Sequence, residues 1–278
     1  METVQLLKYE VIFHWIAVSF YVVSTLFFVY CVAFQKEKSL RVGFWLALIG
    51  LIPHSVAIGV KWYAVGHGPY LHKMEGFSSL AWVALVMFLL FSFRVPKLKG
   101  IGFVVLPCCF LVMTAGLFSE PGIKELPATF RSVWLIIHIS FTKLAVGAIL
   151  IALGTAVFYL LKKKKATAGF YEKLPSLEAL DDYSYKFAGF GFLFWTVMMA
   201  SGALWAEESW GRYWGWDPIE TWSLITWLLF GAYLHLRRFF GWKGKRAAWL
   251  IVFVFISSIV TLFVIPFVMK TVHSEYFL

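Results

Sequence analysis

The chain has 278 residues, of which 61% are hydrophobic and only 14% charged. A soluble domain carries about 25% charged residues, so the composition excludes an ordinary water-soluble globule and points to an all-α integral membrane protein. The net charge of +10 does not require a nucleic-acid partner, because the basic residues are segregated into a few loops.

Apolar runs predict eight transmembrane helices, over 11–34, 42–62, 77–95, 100–118, 132–161, 187–206, 219–236 and 247–269. Each is near or above the ~20 residues needed to cross a bilayer, and together they make 1–278 a single polytopic membrane domain. The first run lacks a basic leader and a small-residue cleavage site, so it reads as a retained span. Segments 35–41, 94–99, 162–186 and 237–246 hold 17 of the 25 Lys and Arg residues. By the positive-inside rule these segments are cytoplasmic, both termini lie outside, and so does segment 207–218. Cys31, Cys108 and Cys109 all fall in apolar runs, and no CxxC or CxxCH occurs. The chain is therefore neither a thioredoxin-like reductant nor a c-type haem acceptor.

Neutral imidazole is the common ligand of haem iron, so the histidines are placed by depth. His138 lies 23 residues from Leu161, ~35 Å of helix against a ~30 Å hydrocarbon core. It sits at the outer boundary. His273 lies 27 residues from Arg246, ~40 Å if helical throughout, and belongs to the same layer. Depth alone leaves two readings open: a bis-His haem site, or two unrelated interfacial histidines. His235 is two residues from Arg237, in the inner leaflet, while His54 lies ~20 Å outward of Arg41, within the bilayer. His14, His67 and His72 read as ordinary residues near the outer surface. Lys143, inside the fifth span, reads first as a snorkelling side chain and otherwise as a partner for a haem propionate.

Segment 205–222 is external and carries Trp205, Trp210, Trp214, Trp216 and Trp222, five indoles in 18 residues. Flat indoles suit a flat apolar macrocycle, and Arg212 suits a carboxylate. Asp217-Pro218 reads as a helix start, with Asp as the cap and Pro at the first helical position. The alternative is an amphipathic loop lying on the membrane.

The run Trp210-Gly-Arg-Tyr-Trp214-Gly-Trp216-Asp217-Pro-Ile-Glu-Thr-Trp222 closely resembles the WWD motif of haem-handling proteins of cytochrome c biogenesis. Gly202–Ala206 before it and Ser223–Trp227 after it resemble the same family. Within that family the chain is most similar to the CcsA (ResC) component of system II, from about His54 to the C-terminus. The resemblance implies a haem-binding segment that includes Trp210, Trp214, Trp216, Asp217 and Trp222. It implies that His138 and His273 ligate haem iron outside, and that His235 helps hold haem entering from the cytoplasmic side. Two departures stand out: Glu275 separates Ser274 from Tyr276, and Ile219 stands where the family commonly has Lys.

The resemblance further implies haem b as bound substrate, and a CcsB (ResB)-like membrane subunit as partner. It also implies an apocytochrome c with CxxCH as acceptor, and a thioredoxin-type reductant acting outside a bacterial cytoplasmic membrane. Haem delivery and presentation for thioether attachment is the expected function. A WWD-family regulator or chaperone without transfer activity is the main rival. A quinol-oxidising cytochrome b fits less well, because its paired mid-membrane histidines are missing. A channel is weaker still, because the spans carry few charges.

Overall fold

The computed structural model describes residues 2–118, 126–164 and 169–271, with no β-strand among them. The chain separates into two compact units, one of residues 1–125 and 161–175, the other of residues 126–160 and 176–278.

The first unit contains α1 (Glu2–Phe34), α2 (Glu37–Val65), α3 (Lys73–Arg94), a 3-10 stretch (Pro96–Ile101) running into α4 (Gly102–Leu117), and, after the start of α5 (Val133–Lys164) in the other unit, the short α6 (Phe170–Lys173). Helices α1 and α2 form a hairpin, and the residues α2 buries follow a helical stripe of Gly43, Ala47, Gly50, His54, Ala57 and Lys61. Small residues in that stripe let the backbones approach. A Cβ at Gly50 would lie 2.7 Å from the Cβ of Phe20. Ser24 Oγ donates to the carbonyl of Gly43 at 2.6 Å, tying α1 to α2 where the backbones are close.

The second unit contains a 3-10 turn (Ala128–Phe130), most of α5, then α7 (Leu177–Trp210), α8 (Pro218–Phe239) and α9 (Lys245–Ile259); α9 continues through a π-helical turn (Val260–Val264) into α10 (Ile265–Val268). Several polar groups on α7, α8 and α9 are matched across the helices, as an apolar solvent favours. Trp195 Nε1 donates to the carbonyl of Ser223 at 3.1 Å and Trp227 Nε1 donates to Thr196 Oγ1 at 2.8 Å. Thr226 Oγ1 meets Ser257 Oγ at 2.7 Å and Thr261 Oγ1 at 3.0 Å. Near the far end of α8, Arg237 donates to Asp181 at 2.6 Å, and the second Asp181 oxygen accepts from Gly244 N at 2.9 Å.

Among the described residues, seven helical segments are long and apolar enough to cross a membrane. The span expected over 219–236 is helical too, as α8, but its Glu, Thr, Trp, Tyr and His residues keep it outside that set. Boundaries differ most at the starts of α7, which begins at Leu177 rather than 187, and of α1. The predicted first span begins at residue 11, whereas α1 begins at Glu2 and carries Glu10 into the bundle; Lys61, expected at the edge of a loop, lies inside α2. The expected spacing of His273 from Arg246 assumed a continuous helix, and α10 ends at Val268 with Met269 in an extended conformation. His273 itself lies outside the described residues.

Candidate functional site

At one end of the second unit, the N-terminus of α5 and the C-terminal part of α7 bring His138, Trp205 and Trp210 together, and the α7–α8 link that follows carries Trp214 and Trp216. Helix α5 is unbroken from Val133 to Lys164, so the depth of His138 follows the helical rise. Ser132 Oγ accepts from Trp134 N at 3.1 Å and donates to the Glu208 carboxylate at 2.5 Å, which joins the start of α5 to the end of α7.

His138 Nδ1 lies 2.8 Å from the main-chain oxygen of Met198. A carbonyl only accepts, so Nδ1 carries the proton and the lone pair of the neutral ring belongs to Nε2. Trp205, only 3% exposed, stacks beside the imidazole with centroids 6.3 Å apart and planes at 28°. Its own Nε1 donates to the carbonyl of Thr129 at 2.8 Å. Trp210 closes edge-on against Trp205 at 5.0 Å. Gly202 occupies the interior of α7, where glycine costs about 1 kcal/mol relative to alanine. A Cβ there would lie 2.6 Å from His138 Nδ1.

The WWD stretch is only partly a loop. Helix α7 runs through Trp210, and α8 begins at Pro218. The link is short: Gly211 caps α7 at φ +69° with its N–H on Glu207 O. Asp217 caps α8, with Oδ1 accepting from Ile219 N at 2.9 Å and Pro218 at the first helical position. Trp216 is left-handed, at φ +56°, a conformation that costs a bulky residue about 1–3 kcal/mol. Glu220 holds it there, because one carboxylate oxygen accepts from both flanking peptides, Gly215 N at 2.8 Å and Asp217 N at 3.1 Å. The result is an indole 70% exposed, edge-on to Trp214 at 5.8 Å. Trp222 lies beyond the link, in the second turn of α8. Replacing Glu220 by alanine removes both acceptor contacts. The expected outcome is a loss of about 1–2 kcal/mol and faster proteolysis within 211–217, measured by thermal melting and limited digestion.

His235 sits in the last turns of α8, at the end that carries Arg237 and Arg238. It is exposed, with Phe239 at 4.7 Å and Phe240 at 5.7 Å between ring centroids. These phenylalanines are themselves 73% and 67% exposed.

The first unit holds a polar network that sequence reasoning missed. Tyr21 Oη lies 3.0 Å from His54 Nδ1, His54 Nε2 lies 2.9 Å from Ser78 Oγ, Ser78 Oγ lies 2.8 Å from His14 Nε2, and His14 Nδ1 lies 3.0 Å from the main-chain oxygen of Glu10. The carbonyl end sets the direction: with neutral rings, His14 donates to Glu10, Ser78 to His14, His54 to Ser78 and Tyr21 to His54. Both nitrogens of His14 and of His54 are thereby used, so His54 is a polar contact within the bundle.

Beside this chain, Lys61 Nζ approaches Glu10 Oε2 at 3.5 Å and Glu75 Oε1 at 3.9 Å, with all three side chains almost fully buried. Glu75 Oε2 also accepts from Leu71 N and His72 N at the start of α3. Outside the spans, burial and the adjacent Glu75 carboxylate raise the pKa of the Tyr70 phenol above its ordinary value. The available signal was Glu10 and His14 one helical turn apart, at the edge of an apolar run. Substituting alanine for Ser78 leaves a donor on His54 and an acceptor on His14 unmatched. At about 1–3 kcal/mol for each orphaned group, a markedly lower melting temperature in detergent is expected.

Residues 70–273 match the family described as Cytochrome C assembly protein. A helical membrane protein with one pinned imidazole beside a Trp-rich helix junction agrees with that match. The chain is 31% identical to the cytochrome c biogenesis protein CcsA of Guillardia theta, over 87% of this chain and 88% of that one. It is 28% identical to CcsA of Gloeobacter violaceus, over 99% and 98%. Identity with CcsA of Chlamydomonas reinhardtii is 38%, over 68% of this chain and 55% of that one. In fold it resembles the cytochrome c haem lyase CcmF, with a TM-score of 0.75 and 15% identity, over 98% of this chain and 48% of that one. The chain spans about half the length of these last two proteins. It belongs to the cytochrome c assembly family, in its CcsA-type branch.

Proposed function

We propose that the chain is the haem-handling subunit of a system II cytochrome c synthase, binding haem b as substrate and presenting it to an apocytochrome c for thioether attachment. The observation that carries this is the tautomer of His138. Its Nδ1 proton is committed to the Met198 carbonyl, so the ring would meet iron through Nε2, beside Trp205, against which Trp210 packs. The exposed Trp216 and Arg212 suit the face and a carboxylate of the same ligand. His273 would supply a second imidazole for the iron. The family resemblance supports that assignment.

His235 serves a second position at the basic end. Its exposure beside Phe239 and Phe240 fits a ligand completed by a CcsB (ResB)-like subunit. The concentration of Lys and Arg in segments 35–41, 94–99, 162–186 and 237–246 supports a Trp-rich end facing outward. Full-length correspondence with the Gloeobacter violaceus protein supports a bacterial cytoplasmic membrane.

The bond-forming chemistry belongs to haem and thiol. Each S–H of the acceptor's CxxCH adds across a haem vinyl group, forming a C–S bond and placing the hydrogen on the vinyl carbon, with no net change of electrons. The thiols must therefore arrive reduced. Cys31 and Cys109 are buried and Cys108 half-buried, and the chain has no CxxC, so the reductant is external and of the thioredoxin type. This chain contributes position and exclusion of water.

The test is purification in detergent with the partner subunit, followed by haem absorption spectra and haem staining of a co-expressed apocytochrome. Bound haem, disturbed in His273→Ala and His235→Ala chains and transferred covalently in the wild type, supports the synthase. Haem binding without any transfer supports the chaperone instead, and absence of haem from every preparation ends both.

A further inference from the structure

We infer that Gly202 is a positioning residue for His138: its missing side chain is the space in which the imidazole lies against α7, and that seat aims Nε2 at the substrate iron. This rests on the reading of His138 as a haem ligand.

Three observations converge on one spot. His138 Nδ1 reaches the main-chain oxygen of Met198, one turn before Gly202, at 2.8 Å. Trp205, on the next turn, stacks on the same ring and is itself locked to Thr129 by its indole N–H. Between them, a Cβ on Gly202 would lie 2.6 Å from Nδ1 and 2.9 Å from Cε1 of His138. The glycine is not there for backbone freedom, because Leu177–Trp210 is continuous α-helix and Gly202 has no positive φ. The three heavy atoms closest to a Cβ there all belong to His138.

This geometry separates two effects that usually travel together. The clashing group is the end of a side chain, which can swing away. Added bulk at Gly202 therefore falls on the direction of the imidazole rather than on the helix packing. It also breaks the Nδ1–Met198 hydrogen bond that keeps the lone pair on Nε2.

The experiment titrates haem into the detergent-solubilised full chain, with its partner subunit present, for wild type, Gly202→Ala, His138→Ala and the double variant. Gly202→Ala is expected to weaken haem binding by about 10- to 100-fold, the range for loss of an orienting partner of a metal ligand, with loss of the low-spin spectrum and a melting temperature close to wild type. In the His138→Ala background, adding Gly202→Ala is expected to change nothing further, since the ring it displaces is gone. If Gly202→Ala alone does not fold, the double variant, which lacks the clashing ring, is expected to fold.

Wild-type affinity and spectrum in Gly202→Ala overturn the proposal. So does an equal loss in the His138→Ala background, or failure of the double variant to fold; any of these leaves the ligand reading standing. If His138→Ala itself leaves haem binding untouched, the ligand reading falls and takes the seat with it.

Discussion

A His138→Ala chain should lose haem affinity by more than about 100-fold, because removing the ligand exceeds the upper end of what removing a ligand's outer partner costs. Imidazole added in solution should restore part of the low-spin spectrum. The size of the effect follows from how completely the ring is committed. One nitrogen is tied to a backbone carbonyl that cannot move without unwinding α7, and one face is covered by Trp205. Truncation to alanine removes both contacts and the imidazole that would meet iron. Absorption spectroscopy on the purified chain measures this directly. Unchanged affinity and spectrum in the alanine chain would remove His138 from the ligand set.

The second large effect is expected far from any tryptophan. In Lys61→Leu the Glu10 and Glu75 carboxylates face each other with no cation between them. Glu10 already has one carboxylate oxygen without a hydrogen-bond partner among the described residues. Breaking a buried ion pair by deleting one member costs about 3–5 kcal/mol, and here two acids are stranded. The Lys61→Leu chain should therefore melt far below wild type in detergent or fail to accumulate in membranes. Adding Glu10→Gln should recover part of the loss, because a neutral amide in its place leaves only one uncompensated acid. A Lys61→Leu chain with wild-type stability would show that the cluster is already neutralised by another route.

The contrast between these two sites explains what the sequence could disclose. The expected depth of His138 depends only on an uninterrupted helix between it and a basic run, and α5 is uninterrupted. The start of α8 was legible because capping is local: Asp217, Pro218 and Glu220 lie within one turn and make their bonds to one another. The Lys61 cluster was not legible. Glu10 and Glu75 lie 65 residues apart in a sequence of 278, and nothing in the order of residues says that their helices place them on one lysine. Hydropathy moved the boundary of the first span inward of Glu10 for the same reason, since a lone acid looks like an edge until its partner is known. Gly202 was visible within the family-like run, but a glycine in an apolar helix has many uses, and only the position of the imidazole across from it selects one. The left-handed backbone of Trp216 was hidden too, because it is imposed by Glu220 against the intrinsic preference of the residue.

The directional chain from Tyr21 to the Glu10 carbonyl has a consequence for the membrane that houses it. Two imidazoles and two hydroxyls in a row are the material of a proton wire, and a wire through the wall of an energised membrane would short the gradient across it. This one ends on an amide oxygen, which holds a hydrogen bond and passes nothing on. Along these bonds a proton offered at Tyr21 has nowhere to leave. The bundle thus gains the cohesion of four linked polar side chains along a path that ends on the Glu10 carbonyl.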